Sequence, residues 1–128
     1  MHHHHQTAQS TLAREQVLTK ALVNTAAYLD LPKTKLARVL GLSPATVTRL
    51  YTQAYQLSPA RKEWEFAVLL VRLYRSLDSI VGGSAEDARK WLDSENHGLG
   101  GKKPADLIES TEGIVRVVNY LDACRGIV

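Results

Sequence analysis

The sequence has a single cysteine, Cys124, so no disulfide within the chain can staple the fold, and a reducing, cytoplasmic setting is expected. Long apolar runs are missing too. The longest, Phe66 to Val71, falls far short of the roughly 20 residues a bilayer span needs, which excludes a membrane-spanning role. No stretch alternates apolar with polar residues as a strand would, and no internal repeat is present. The histidines of the opening MHHHH have the look of a shortened affinity tag. With them set aside, no spacing of Cys, His and carboxylates would hold zinc, and no cofactor is expected. What is there is the balance of one soluble globular unit: 128 residues, 45% hydrophobic and 23% charged.

Acidic residues are unevenly spread. Between Asp30 and Glu63 there is none, yet Lys33, Lys35, Arg38, Arg49, Arg61 and Lys62 all lie inside that interval. The net charge of +3 is modest, but a polyanion meets no repulsion along this segment.

Helical periodicity dominates the chain. Leu18, Leu22, Thr25 and Leu29 recur at helical spacing and predict a first helix from about Thr11 to Leu29, with Pro32 marking its end. Lys33 to Leu40 predicts a short helix stopped by Gly41, and Ser43 with Pro44 restarts the chain as an N-cap followed by a first-turn proline. A long helix is predicted from Ser58 and Pro59 to about Val81. It is apolar on two faces, Trp64, Ala67, Val71 and Tyr74 on one and Phe66, Leu70, Leu73, Leu77 and Ile80 on the other, so it is central or lies at a subunit contact. Ser84 caps a helix through Trp91 and Leu92, Pro104 starts a short turn of helix, and Ser110 or Thr111 caps a last helix with Ile114, Val117, Val118 and Leu121 inward. The fold class is all-α: a helix-turn-helix bundle continuous with a small C-terminal helical module. The divisions are 1–10, a tag and disordered start; 11–82, the helix-turn-helix region; and 84–128, the second module.

Thr34 to Leu50, TKLARVLGLSPATVTRL, meets the needs of a helix-turn-helix. Ala37 is small where the helices cross, Gly41 turns the chain, and Leu36, Leu40, Leu42, Val47 and Leu50 bury both helices. Its second helix would then lie in a DNA major groove with Ser43, Ala45, Thr46, Thr48, Arg49 and Thr52 outward. Arg49 is the residue able to contact guanine through two hydrogen bonds, and Lys33, Lys35 and Arg38 suit phosphates. The alternative is a helical hairpin used for protein contacts.

Two chemical readings fail on the residues. GLGGKK, Gly98 to Lys103, lacks the spacing and the preceding strand of a phosphate-binding loop, and reads as a close-packing turn. Cys124, His97 and Asp122 could nominally supply nucleophile, base and orienter, but no pocket is implied and Cys124 is expected to be buried. No enzyme is expected.

Trp91, Leu92, Asn96, Leu99, Gly100, Gly101, Pro104, Asp106, Leu107, Thr111, Glu112, Gly113, Val117, Leu121 and Gly126 stand in the order of a W-L, N, L-G-G, P, L, T, G, V, L, G pattern. This resembles the toxin-binding module of the Xre/MbcA/ParS antitoxin family over roughly Ala85 to Val128, and in that family an Xre-like helix-turn-helix often precedes the module. The sequence departs from the pattern at Glu95, where proline is common, and at Cys124. The resemblance implies an antitoxin that sterically neutralises a RES-domain, NAD-depleting toxin and represses its own promoter. It implies a docking surface at Leu99, Gly100, Gly101, Lys102 and Pro104, with Arg125, Gly126, Ile127 and Val128 reaching the toxin's cleft. The partners expected are therefore a cognate RES-domain toxin, promoter DNA and a second copy of the chain. The rival expectation is an interaction module, or a stand-alone regulator with no toxin partner.

Overall fold

A computed structural model describes residues 2–126 of the chain, with side-chain surroundings from residue 12 onward. Among the described residues the fold is all-α: α1 (His2–Tyr28), α2 (Lys33–Leu40), α3 (Pro44–Tyr51), α4 (Glu63–Ile80), α5 (Ala85–Leu92), a short 3-10 turn (His97–Leu99), α6 (Pro104–Leu107) and α7 (Thr111–Cys124). Helix α1 starts at His2, ahead of the expected Thr11. No glycine or proline interrupts His2 to Tyr28, so nothing local breaks the helix.

The starts and stops follow from side-chain chemistry. Ser43, Ser84 and Ser110 each accept a backbone N–H three residues on, at 3.2, 3.1 and 3.0 Å, and each cap contributes about 1 kcal/mol. Gly41 closes α2 in the left-handed conformation, φ +70°. Asp30 does the same for α1 at φ +57°, and the Leu31 amide reaches back to the Ala26 carbonyl at 2.9 Å.

Helix α4 begins at Glu63, later than the expected Ser58 and Pro59, because a distant contact holds the preceding chain. Leu57 is fully buried, and its amide donates to Thr19 Oγ1 on α1 at 3.1 Å. Residues 58–61 then form a tight turn, Arg61 N–H to Ser58 carbonyl at 3.0 Å. Tyr55 donates its hydroxyl to buried Glu63, pinning the helix start.

Helix α4 is the spine. It packs on α1 and α2 and on α5 and α7, which is why both of its faces are apolar. Leu70, Leu73 and Leu77 have no exposure at all, and each stabilises the fold by about 1.5–3 kcal/mol through burial. One continuous core joins Leu22, Leu36, Leu50, Leu99, Ile108, Ile114 and Leu121 to them.

Helices α1, α4 and α5 are tied at one junction. The Tyr28 hydroxyl donates to Asp78 Oδ1 at 2.8 Å and lies 3.0 Å from the Gly83 carbonyl oxygen, while Arg89 donates to the Tyr28 carbonyl at 2.9 Å. The carboxylate that accepts the phenolic proton raises the Tyr28 pKa to about 12.

Candidate functional site

Two surfaces carry the residues expected to function. The first is the helix-turn-helix face of α2 and α3. Val47 and Leu50 point inward, so Ser43, Ala45, Thr48, Arg49 and Thr52 are exposed and Thr46 is half-buried. Arg49 lies along its own helix, Nε to the Ala45 carbonyl at 3.4 Å, and Lys33 Nζ sits 5.0 Å from the centre of the Tyr51 ring.

Lys35 and Arg38 are placed differently from the other cations of this face. Lys35 Nζ is 2.9 Å from Glu109 Oε2 and 3.8 Å from Asp106 Oδ1, and Arg38 Nε donates to Glu109 Oε1. Carboxylates at the α6 end of the second module therefore hold two of the three α2 cations. The Lys35 ammonium beside Glu109, with the Arg38 guanidinium, keeps its carboxyl below the usual range. The complementarity of an acid-free segment and an acid-rich second half was the only signal of this pairing in the sequence.

The second surface is the turn from Asn96 to Pro104. Asn96 accepts the Gly98 amide on its side chain at 2.9 Å and the Gly101 amide on its carbonyl at 2.8 Å, while its own amide donates to the Lys102 carbonyl at 3.0 Å. Gly100 and Gly101 take φ +71° and +77°, which a side chain would strain. Gly98 lies under Tyr120: an added Cβ would meet the ring at 2.5 Å. The Tyr120 ring in turn stacks on Trp91, centroids 6.4 Å apart.

These bonds argue directly against a phosphate cradle. Such a loop needs outward backbone donors, but the amides of Gly98, Leu99, Gly100, Gly101 and Lys102 are all spent on Asn96, His97 and Leu99. Within the turn, Leu99 and Pro104 are buried, whereas Gly100, Gly101 and Lys102 are exposed.

Buried Asp122, on α7, accepts from Arg72 and, at 3.1 Å, from Ser76 of α4. Arg125 Nη1 donates to the same Ser76 hydroxyl at 3.0 Å. The end of α7 is thus strapped to α4 where the chain leaves for Gly126, exposed at φ +77°. Ile127 and Val128 lie outside the described residues. Sequence reasoning missed this strap, because its partners are 46 and 50 residues apart.

Cys124 is exposed, which corrects the expectation of burial. The inward stripe of Ile114, Val117, Val118 and Leu121 continues to Asp122, leaving Cys124 on the solvent side of the last turn. Asp122, with both oxygens already engaged, is no orienter for it. Among the described residues no group of three His, Cys, Asp or Glu is placed to hold a metal ion, and no helix is long and apolar enough to cross a membrane.

A helix-turn-helix sharing its spine helix with a C-terminal helical module defines a two-part α-helical class. Residues 8–72 match the family model of the antitoxin Xre-like helix-turn-helix domain, and residues 76–126 match that of the antitoxin Xre/MbcA/ParS C-terminal toxin-binding domain. The chain belongs to the Xre/MbcA/ParS antitoxin family, and the two matched stretches adjoin inside α4. Antitoxin Xre of Yersinia enterocolitica is 26% identical over 94 residues, 73% of this chain and 62% of its own length, so the chain spans about three-fifths of that relative. A chain from the crystal structure of the Mycobacterium tuberculosis MbcT–MbcA toxin–antitoxin complex superposes with a TM-score of 0.65 at 26% identity, covering 88% of this chain and 97% of that one. A 41-residue stretch is also 42% identical to part of 6-hydroxy-3-succinoylpyridine 3-monooxygenase HspA of Pseudomonas putida, only 13% of that protein, too small a share to bear on activity.

Proposed function

We propose that this chain neutralises a RES-type, NAD-depleting toxin by seating its C-terminal module over the toxin's active-site cleft, and represses its own promoter through the helix-turn-helix. The observation that carries the reading is the pair of matched antitoxin domains, end to end on one fold, together with the superposition on a chain of a toxin–antitoxin complex.

On this reading the exposed Gly100, Gly101 and Lys102 form the docking rim, and buried Leu99 and Pro104 hold it in shape. Arg125, anchored through Ser76, begins the segment, Arg125 to Val128, that covers the cleft. Inhibition is steric, so the chain needs neither a cofactor nor a catalytic residue, and the cytoplasm is where toxin and promoter are both met.

Ser43, Ala45, Thr46, Thr48, Arg49 and Thr52 present to the major groove, with Arg49 reading guanine and Lys33 positioned for phosphate. A homodimer brings two such faces to paired half-sites. Its contact is the apolar strip between α1 and α4, where Val17 is 67% and Val68 37% exposed. One observation favours the second reading, a protein-contact module without DNA: the pairing of Lys35 and Arg38 with Glu109.

The test is co-expression with the product of the neighbouring gene. Growth restored by the chain, and recovery of the two proteins as one complex, are the expected results. A neighbour that is harmless alone, or a chain that fails to bind it, refutes the toxin reading. Absence of binding to the operon's promoter refutes the DNA reading separately.

A further inference from the structure

The ion pairs that join the two modules bear on the strength of DNA binding, and their consequence rests on the proposed DNA role of α2 and α3. Glu109 presents to α2 what a phosphodiester would present: two oxygens sharing one negative charge, one taken by each cation. The Lys35 side chain is only 16% exposed beneath it. Arg38 keeps 58% exposure and its terminal nitrogens, but its Nε is committed. Among the described residues no carboxylate lies within ion-pair distance of Lys33, Arg49, Arg61 or Lys62.

This division separates two kinds of contact. Phosphate contacts supply affinity for any sequence, whereas base contacts supply discrimination. The cations held by Glu109 are two of the three suited to phosphates, and Arg49, the expected base reader, has no carboxylate within ion-pair distance. We propose that Glu109, backed by Asp106, is a brake on DNA affinity: it masks Lys35 and Arg38 from DNA phosphates, lowering binding to every sequence alike and leaving base readout untouched.

Counterion release sets the magnitude. Each phosphate contact contributes about −0.9 to the slope of log affinity against log salt, so unmasking two steepens the slope by about 1.8. Between 50 and 200 mM salt that makes the fall in affinity roughly tenfold larger than the parent's.

Fluorescence anisotropy with the promoter fragment and with a duplex of scrambled sequence tests this, using the full chain and the variants D106N/E109Q, K35Q/R38Q and all four substitutions together. The expected result for D106N/E109Q is tighter binding to both duplexes at 50 mM salt, a slope steeper by about 1.8 that erodes the gain roughly tenfold by 200 mM, and an unchanged preference for the promoter. K35Q/R38Q should bind within twofold of the parent, and the quadruple variant should return to it. Parental DNA binding with an unchanged slope in a folded D106N/E109Q overturns the mask alone. A shallower slope in K35Q/R38Q also overturns it, since it would show those cations already on DNA, and this arm stands even if the carboxylate variant does not fold. No binding of either duplex by any variant refutes the DNA reading and the mask together.

Discussion

Replacing Gly113 with alanine should destabilise the fold well beyond an ordinary glycine change. Gly113 is the third residue of α7, directly over the α6–α7 corner. A Cβ there would lie 1.8 Å from the Leu107 carbonyl oxygen, 2.6 Å from its carbon and 2.8 Å from Ser110 Oγ. The two closest atoms are backbone, so no rotamer relieves the contact, and α7 would have to retreat by roughly 1.5 Å to restore an ordinary distance. That carbonyl is also the acceptor for the Ser110 amide at 3.3 Å, so the corner cannot move without losing bonds. Overpacking usually costs about 1–3 kcal/mol, and against backbone atoms this close it reaches about 3–4, while alanine recovers about 1 kcal/mol of helix propensity. The net expectation is about 2–3 kcal/mol, a fall in Tm of roughly 10 °C for a chain of this size. Thermal unfolding followed by circular dichroism reads it directly. An unchanged or raised Tm would show that α6 and α7 can separate freely, and the close approach would then be no constraint. The corner carries Glu109, so the same variant should also lose its ion pairs with Lys35 and Arg38.

Four further outcomes are expected. Truncating Leu73 to alanine at the centre of α4, where the side chain is fully buried, should cost about 2–5 kcal/mol, measured by urea unfolding. Folded-state Glu109 titrates below its unfolded value, so its contribution is present above the unfolded pKa and fades as pH falls through the folded one. E109Q should therefore flatten the acid limb of the stability curve, and an identical limb would refute the pairing. Tyr28 should be a late phenol to ionise, at about 12, and D78N should return it toward 10.0, a shift visible by ultraviolet titration. In light scattering, V17D/V68D should convert a dimer of about twice 14.2 kDa into a monomer, whereas a monomeric parent would refute the strip as a self-contact.

The local chemistry was legible because it is short in range. Ser43 with Pro44, Ser84 and Ser110 announce helix starts within three residues of the groups they satisfy, and the two apolar faces of α4 announce its central place. What was not legible depends on pairings across the chain. The start of α4 is delayed by a Leu57–Thr19 bond 38 residues long, and Lys35 and Arg38 look like free phosphate binders until Glu109 is found 74 and 71 residues away. Cys124 misled because it follows Leu121 by three positions, as an inward residue would, while the stripe in fact continues through Asp122 to meet Arg72 and Ser76 of α4. The glycine turn was visible as an interruption, but its internal satisfaction by Asn96 rests on a side-chain orientation that spacing does not encode.

That strap also fixes Arg125 at the base of the segment proposed to enter the toxin's cleft. The most direct test is NAD consumption by the neighbouring gene's purified product, alone, with the full chain, and with a variant lacking Gly126 to Val128. The expected pattern is NAD loss by the neighbour alone, protection by the full chain, and loss again with the shortened one. A neighbour that leaves NAD untouched would contradict the toxin assignment, and equal protection by both forms would contradict the role of the segment.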